Sequence, residues 1–290
     1  MINKKFTHQI QNSLNQKVTY FTQVSGGSIS ECYRIECESG QTCFLKIAPD
    51  ALIKAERKGL EEISSKHLIS TPEVLGHGDD FLILEFVEET PSSASFWMRF
   101  AVELAEMHKC TSQHFGFEAD NFIGLNPQRN LPQIPFRDSS TDWTDFYWTY
   151  RLIFQYQLLE SNSLVDEEFK SMFMQLEKRI DSILSDSEEP PSLTHGDLWS
   201  GNFLCGPGSV PFLIDPAISY GHREADLAMT RLFGGFAPEF YKVYNETFPL
   251  PPNWEYRVGI YQLYHVMNHW NLFGDSYKNQ AKSLILQYLD

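Results

Sequence analysis

The sequence predicts an α+β chain in two lobes, a small antiparallel β-rich lobe carrying one key helix at residues 1–90 and a large, mainly helical lobe at residues 91–290. Three observations predict it. Residues 17–47 hold three runs, "KVTYFTQV", "CYRIECES" and "TCFLKIA", rich in aromatic and β-branched residues and separated by "SGGSIS" and "ESGQ" turns. From residue 94 the apolar spacing turns helical and stays so over most of the remaining chain. Between the two regimes lies "EETPSS", a polar, proline-bearing seam at residues 88–93.

The elements follow in order. Residues 3–15 read as a short amphipathic helix, and the three runs after it as an antiparallel meander. "LIKAERKGLEEISSKH" has helical apolar spacing and is closed off by Pro72, after which "EVLGHGDDFLILEF" reads as two strands around a Gly-Asp turn. The small lobe is therefore three strands, one helix and two strands. Long helical patterns follow at "SFWMRFAVELAEMHKC", "WTDFYWTYRLIFQYQLLE" and "EEFKSMFMQLEKRIDSILS", with two or three more beyond residue 223. A ligand is expected in the cleft between lobes.

Composition narrows the function classes. With 38 acidic against 23 basic residues the formal charge is −15, which repels polyanions and leaves no footprint for nucleic acid or an anionic membrane. A phosphate-bearing ligand needs local help, whereas a cationic substrate is favoured. Five cysteines with no C-x-x-C pair read as reduced thiols. No stretch approaches 18 consecutive apolar residues and the N-terminus lacks a signal-peptide run, so a soluble, cytoplasmic, monomeric protein is expected.

The chemistry concentrates in "LTHGDLWSGNFLCGPGSVPFLIDPA", residues 193–217. Asp197 and Asn202 lie on a Gly-containing loop. "NFLC", a "GPGS" turn and "PFLID" then form a hairpin that returns Asp215 to Asn202. Hard oxygen ligands of this kind suit Mg²⁺ together with phosphate oxygens, leaving Asp197 to accept the proton of an attacking hydroxyl. In the small lobe Lys46 interrupts an apolar strand and needs an anionic partner, for which Glu56, ten residues on, is the natural choice. Ser25, Gly26, Gly27 and Ser28 in "VSGGSISE" offer consecutive backbone N–H groups to phosphates, although a Gly-Gly hairpin is also an ordinary turn. His195 has no second ligand at zinc spacing, and Ser200 is not on a G-x-S-x-G elbow. Asp197 and Asn202 as mere helix caps, with Asp215 merely ending a strand, is the plainer alternative.

Lys46, Glu56, "HGDLWSGN" and "LIDPA" together resemble the protein-kinase-like fold in its small-molecule branch, with "HGD" for "HRD" and "IDP" for "DFG". More closely, "HGDLWSGN", "IDPAISYGHREADLAMT", "LFGGF" and "YQLYHVMNHWNLFG" resemble the fructosamine kinase (ketosamine 3-kinase) family from about residue 15 onward. That resemblance implies ATP-dependent phosphorylation of the 3-hydroxyl of small-molecule or protein-borne ketosamines. It implies Lys46 on the α- and β-phosphates, oriented by Glu56, with residues 25–30 covering them and the backbones of Glu85 and Val87 on adenine. Asp197 is implied as base, for which a near-normal pKa suffices because the hydroxyl proton leaves late, and Asn202 and Asp215 as Mg²⁺ ligands. For the acceptor, Trp199 is expected on the sugar and His222, Arg223 and Glu224 near it, with Glu224 on the substrate ammonium. Asp226 is expected to brace the catalytic loop, and His265, His269 and Trp270 to pack. Where some family members carry a Cys in the phosphate loop this chain has Ser28, which argues against redox control, with Cys32 as the remaining route. Two rival readings stay open: another small-molecule kinase of this fold, acting on an aminoglycoside, choline or homoserine, and a nucleotide-binding scaffold without catalysis.

Overall fold

The computed structural model of the chain describes residues 4–24, 30–136, 142–185 and 187–289. Helix α1 (Lys4–Leu14) leads into the meander β1 (Val18–Val24), β2 (Glu31–Cys37) and β3 (Thr42–Ile47). Helix α2 (Asp50–Ser65) follows, then β4 (Val74–His77) and β5 (Phe81–Glu85). All neighbours in this sheet are antiparallel and its order is β1-β2-β3-β5-β4, so the strand bearing Lys46 is central rather than an exposed edge. One apolar face packs Tyr33, Ile35, Leu45, Phe81 and Ile83 against Ile10 of α1. The other packs Leu82 and Leu84 against Ile53 and Leu60 of α2. The expected order of three strands, one helix and two strands is what forms, and Glu56 falls in the second turn of α2 rather than at its start.

Helix α3 (Ala94–His108) begins the second part, capped by Ser93, whose Oγ accepts the Phe96 N–H at 3.3 Å. Between α3 and the next helix lie two nested antiparallel pairs that the apolar pattern does not announce: β6 (His114–Phe115) with β9 (Ile134–Pro135), enclosing β7 (Asn121–Ile123) with β8 (Asn126–Gln128). Two- and three-residue strands are too short to show a period. The pattern at 143–160 forms α4 (Asp142–Tyr147) and α5 (Phe154–Ser161), joined by a π-helical turn at Trp148–Ile153. That at 167–185 splits into α6 (Glu167–Glu177) and α7 (Ile180–Leu184). Four helices rather than two or three follow residue 223: α8 (Arg223–Thr230), α9 (Pro238–Thr247), α10 (Trp254–Phe273) and α11 (Lys278–Leu286).

Before α8 run β10 (Ser192–Thr194), β11 (Phe203–Gly206), β12 (Val210–Leu213) and β13 (Ser219–Gly221). β10 pairs with β13, and β11 with β12 in a hairpin whose register matches Phe203 with Leu213 and Gly206 with Val210. Gly208 turns it at φ 71°. Aromatic packing fixes the hairpin on α3, with the Phe203 ring 5.7 Å from Phe96 and 5.2 Å from Phe100.

Candidate active site

A cleft of about 1,050 Å³ separates the five-stranded sheet from the helical part. Its walls include Lys46 and Glu56 on one side, the stretch Glu85–Glu89 at the back, Asp197, Asn202 and Asp215 opposite, and Phe233, His269, Phe273 and Tyr277 at the far end.

Lys46 projects from the central strand β3 into this cleft, its side chain nearly buried, and there meets two carboxylates. Its Nζ donates to Glu56 Oε2 at 2.7 Å and makes a short contact with Asp215 Oδ1, so one ammonium joins α2 to the end of the β11–β12 hairpin. The two acids share one positive charge unequally. Burial pushes Glu56 up to about 8, and its Oε1 has no hydrogen-bond partner among the described residues, whereas the adjacent Lys46 holds Asp215 below its ordinary value. Lys46 itself is raised by its two acids despite burial, so it stays protonated. The approach that permits this is tight. A Cβ on Gly59 of α2 would meet Pro216 Cγ at 2.8 Å, so only glycine lets the helix lie so close to the residue after Asp215. Asp215 itself adopts φ 54°, a conformation uncommon outside glycine.

The loop 195–202 is held from beneath by Asp226 of α8. Its carboxylate accepts the His195 N–H at 2.6 Å and the Gly196 N–H at 2.8 Å, and faces His108 Nε2 at 3.2 Å, while His108 Nδ1 meets the Tyr244 hydroxyl at 2.7 Å. Asp226, His195, His108 and Tyr244 are all buried, and the bracing role expected of Asp226 is the one it occupies. His108 and Tyr244 carry no local motif and were not singled out from sequence. Gly196, at φ 82°, is a second glycine set by contact: a Cβ there would sit 2.0 Å from the Ala217 carbonyl oxygen. His195 Nε2 lies 2.8 Å from the Ile214 carbonyl and its Nδ1 accepts the Asp197 N–H at 3.2 Å, which identifies the neutral Nε2–H tautomer and ties the loop to the residue before Asp215. Burial lowers its pKa, consistent with that neutrality.

Asn202 Nδ2 donates to the Asp197 backbone oxygen at 2.7 Å and to Asp197 Oδ2 at 3.0 Å, and the Ile214 N–H donates to the Asn202 carbonyl at 3.1 Å. Asp197, Asn202 and Asp215 thus come together as the hairpin required. Burial, chiefly, with help from the nearby Asp215 and Asp226 charges, raises Asp197 to about 7, against the lowering effect of Asn202. With Asn202 Nδ2 committed to Asp197, its Oδ1 and the Asp215 carboxylate form a hard-oxygen donor set. Such a set fits Mg²⁺, an ion that takes one or two protein carboxylates and completes its shell with water and phosphate oxygens. Among the described residues no group of three or more His, Cys, Asp or Glu side chains could hold an ion alone.

The acceptor expectations fare unevenly. Trp199 is 36% exposed and lines the cleft, its ring folded over Gly201 so closely that a Cβ there would meet Cζ2 at 2.4 Å. His222 and Glu224 are corrected. Glu224 is buried in a two-pronged pair with Arg257, at 2.7 Å and 2.6 Å, which leaves it no face toward a substrate ammonium. His222 is buried with its ring stacked 4.4 Å from Trp143, and Arg223 is occupied by Glu189 and by the Phe248 and Pro249 carbonyls. "GHREADLA" braces the helical part and does not enter the cleft. His269, expected to pack, instead lines it, with its ring 5.1 Å from Phe233 and 5.2 Å from Tyr277; Trp270 is fully buried as expected. Phe233, Phe273 and Tyr277 belong to the same wall and lie at the helix ends around α8 and α10, where helical spacing does not separate core from rim. Glu85 and Val87 line the back of the cleft, and the Glu85 N–H is engaged by the Glu73 carbonyl at 2.8 Å. Ser25, Gly26, Gly27 and Ser28 lie outside the described residues. Cys32 is buried with its thiol pushed up to about 11, chiefly by desolvation, which disfavours the reactive thiolate.

A strand lysine paired to a helix glutamate, facing an Asp, an Asn and a second Asp around a hairpin, defines a phosphotransferase of the two-lobed kinase type. The sequence profile of the fructosamine kinase family matches residues 1–290. A protein of Enterococcus faecium assigned as a ketoamine kinase is 35% identical over 277 residues, covering 94% of this chain and 95% of that protein. A chloroplastic protein-ribulosamine 3-kinase of Arabidopsis thaliana is 34% identical over 287 residues, covering 94% and 83%. The crystal structure of a Thermobifida fusca protein assigned as a fructosamine-3-kinase superposes with a TM-score of 0.88 at 29% identity over 98% of each chain. The streptomycin–ATP–APH(2'')-IIa ternary complex shares the fold at a TM-score of 0.62 and 17% identity, over 99% and 97%. The chain belongs to the fructosamine kinase family, and it is an enzyme that transfers phosphoryl groups.

Proposed function

We propose that the protein transfers the γ-phosphoryl group of ATP to the 3-hydroxyl of ketosamines, such as fructosyl- and ribulosyl-lysine, free or on protein, as a deglycation step. The observation that carries this reading is the convergence of Lys46, Asp197, Asn202 and Asp215 on one cleft in a chain that matches its family from end to end. In this reading residues 1–90 bind the nucleotide and residues 91–290 supply the catalytic loop and acceptor site. ATP use is supported by the family and by the ATP complex of the shared fold.

Lys46, kept charged by its two acids, neutralises the α- and β-phosphates while Glu56 fixes its position. Adenine meets the Glu85 carbonyl and the Val87 backbone, since the Glu85 N–H is already taken. Asn202 and Asp215 would hold Mg²⁺, which when bound would supply charge neutralisation at the phosphate oxygens. Asp197 orients the acceptor hydroxyl and takes its proton. In a loose transition state that proton leaves late, so a carboxylate of ordinary basicity suffices, and one poised near 7 is better matched to neutral pH. Trp199 gives the sugar an apolar face. No helix among the described residues is long and apolar enough to cross a membrane, and five unpaired cysteines suit a reducing compartment, which supports a cytoplasmic setting. The formal charge of −15 supports a protein that acts on no nucleic acid.

The test is an acceptor profile on purified protein: ATP consumption with fructosyl-lysine, ribulosyl-lysine, an aminoglycoside, choline and homoserine, with the product's phosphate located by NMR. Phosphate at C3 of a ketosamine is the expected result. Turnover of one of the other acceptors instead, or ATP–Mg²⁺ binding with no turnover of any, would overturn the reading. Asp197→Ala is expected to abolish turnover with the fold retained.

A further inference from the structure

His265 sits inside α10 and is only 3% exposed, yet its Nδ1 is a buried polar atom with no hydrogen-bond partner among the described residues. An unsatisfied buried nitrogen is costly enough to call for an explanation. It faces Asp197 Oδ1 at 3.9 Å. The other oxygen of that carboxylate, Oδ2, is the one held by Asn202 at 3.0 Å. The two oxygens of Asp197 are thus divided between a hydrogen-bond donor already in contact and an imidazole nitrogen standing just short of contact.

We propose that His265 is a positioning residue for Asp197, its Nδ1–H steering Oδ1 toward the acceptor hydroxyl and closing to hydrogen-bond length in the substrate complex. The inference rests on Asp197 being the base. At 3.9 Å the contact is longer than a hydrogen bond, and catalytic contacts of this kind commonly tighten only once substrate is bound. A lone pair on Nδ1 would repel the carboxylate, so the tautomer that faces Asp197 is Nδ1–H. The ring is neutral: burial, with the neighbouring His269 and Arg151, depresses His265 to about 3. A neutral donor orients the base without the loss of basicity that a cation beside it would cause. Burial also separates this role from substrate contact. His269, one turn further along α10, is the histidine that lines the cleft, and His265 only reaches the reaction through Asp197.

The experiment measures kcat and KM for ATP and ribulosyl-lysine in His265→Leu, His265→Asn and Asp197→Ala, alongside wild type. His265→Leu is expected to lose about 10- to 100-fold in kcat, the cost of a misoriented group, with both KM values unchanged. His265→Asn, whose amide can still donate, is expected to recover much of that loss. Leu within threefold of wild type, Asn as impaired as Leu, or a raised KM at unchanged kcat would each overturn the proposal. If His265→Leu does not fold, ¹⁵N-histidine NMR of the wild-type protein decides: Nδ1 must carry the proton, with a shift in that signal in Asp197→Asn, and an unprotonated Nδ1 refutes it. Full loss in Asp197→Ala beside a normal His265→Leu ends this inference alone, whereas turnover retained in Asp197→Ala ends the base assignment and this inference with it.

Discussion

Two charge clusters of the molecule look alike in sequence and differ in arithmetic. Around Arg257, the carboxylate of Glu224 takes both prongs of the guanidinium at 2.7 Å and 2.6 Å, and both side chains are almost wholly buried. Around Lys46, two carboxylates meet one ammonium, Asp215 remains 40% exposed to the cleft, and Glu56 Oε1 has no partner among the described residues. The first cluster is saturated and sealed, so it can only hold helices together. The second has one carboxyl more than it has cations, with Glu56 pushed toward its neutral form, and is open on one side, so a ligand that brings phosphates or a cation changes its balance. A surplus carboxyl with a shifted pKa and access to the cleft, rather than burial or the presence of an ion pair, separate the working cluster from the structural one.

Variants on the two clusters break or sharpen that contrast. The largest effect is expected from Lys46→Met and Asp215→Asn, each losing on the order of 10³-fold in turnover, equivalent to about 4 kcal/mol of barrier. Lys46→Met should nonetheless stay folded, because Glu56, already pushed up to about 8, neutralises itself by taking a proton when its partner is removed. Glu224→Ala has no such escape, since the guanidinium of Arg257 does not release its proton and loses both hydrogen bonds to this carboxylate while staying buried. It is expected to cost about 3 kcal/mol of stability, with turnover per folded molecule unchanged. Thermal unfolding and kcat on both variants check the pair of statements; a larger stability loss in Lys46→Met than in Glu224→Ala would reverse the contrast.

How far each cluster was legible in the sequence follows the same line. Lys46 stands out because an apolar strand exposes its anomaly locally, and Asp197, Asn202 and Asp215 because a hairpin with a Gly-Pro-Gly turn fixes which residues meet. The order of the small lobe was legible for a similar reason, each strand and helix having its own period. Glu224 was misread because its partner Arg257 lies 33 residues away on another helix, and nothing local marks that pairing. His108 and Tyr244, which complete the brace under the loop, are separated by 136 residues. The short strands β6 to β9 carry too few residues to show alternation, although Phe122 and Gly124 of that excursion line the cleft. Phe233, His269 and Tyr277 are ordinary aromatic residues of an aromatic-rich chain, and only the placement of α10 against the catalytic loop turns them into a wall.

The smallest expected effect concerns the loop between the two clusters. Asp197 is raised to about 7, chiefly by burial, so the folded state prefers it protonated, while an unfolded chain ionises it near 4. Below pH 4 both states carry the proton and the group contributes no difference. Between about 4 and 7 the unfolded state has lost its proton and the folded state has not, so stability falls as pH rises, and above 7 the full penalty is present. A three-unit shift corresponds to at most about 4 kcal/mol. Asp197→Asn removes the charge and hence the penalty, although an amide has one carbonyl where the carboxylate had two oxygens for Asn202 and His265, which trims the gain to about 1–2 kcal/mol, or roughly 3–5 °C in Tm. In metal-free buffer the variant should therefore melt above wild type at pH 8 and below it at pH 4, where the penalty is gone and only the lost hydrogen bonding remains. Melting below wild type at both values would mean that Asp197 is solvated well enough to ionise normally, and that the basicity of the loop comes from orientation alone.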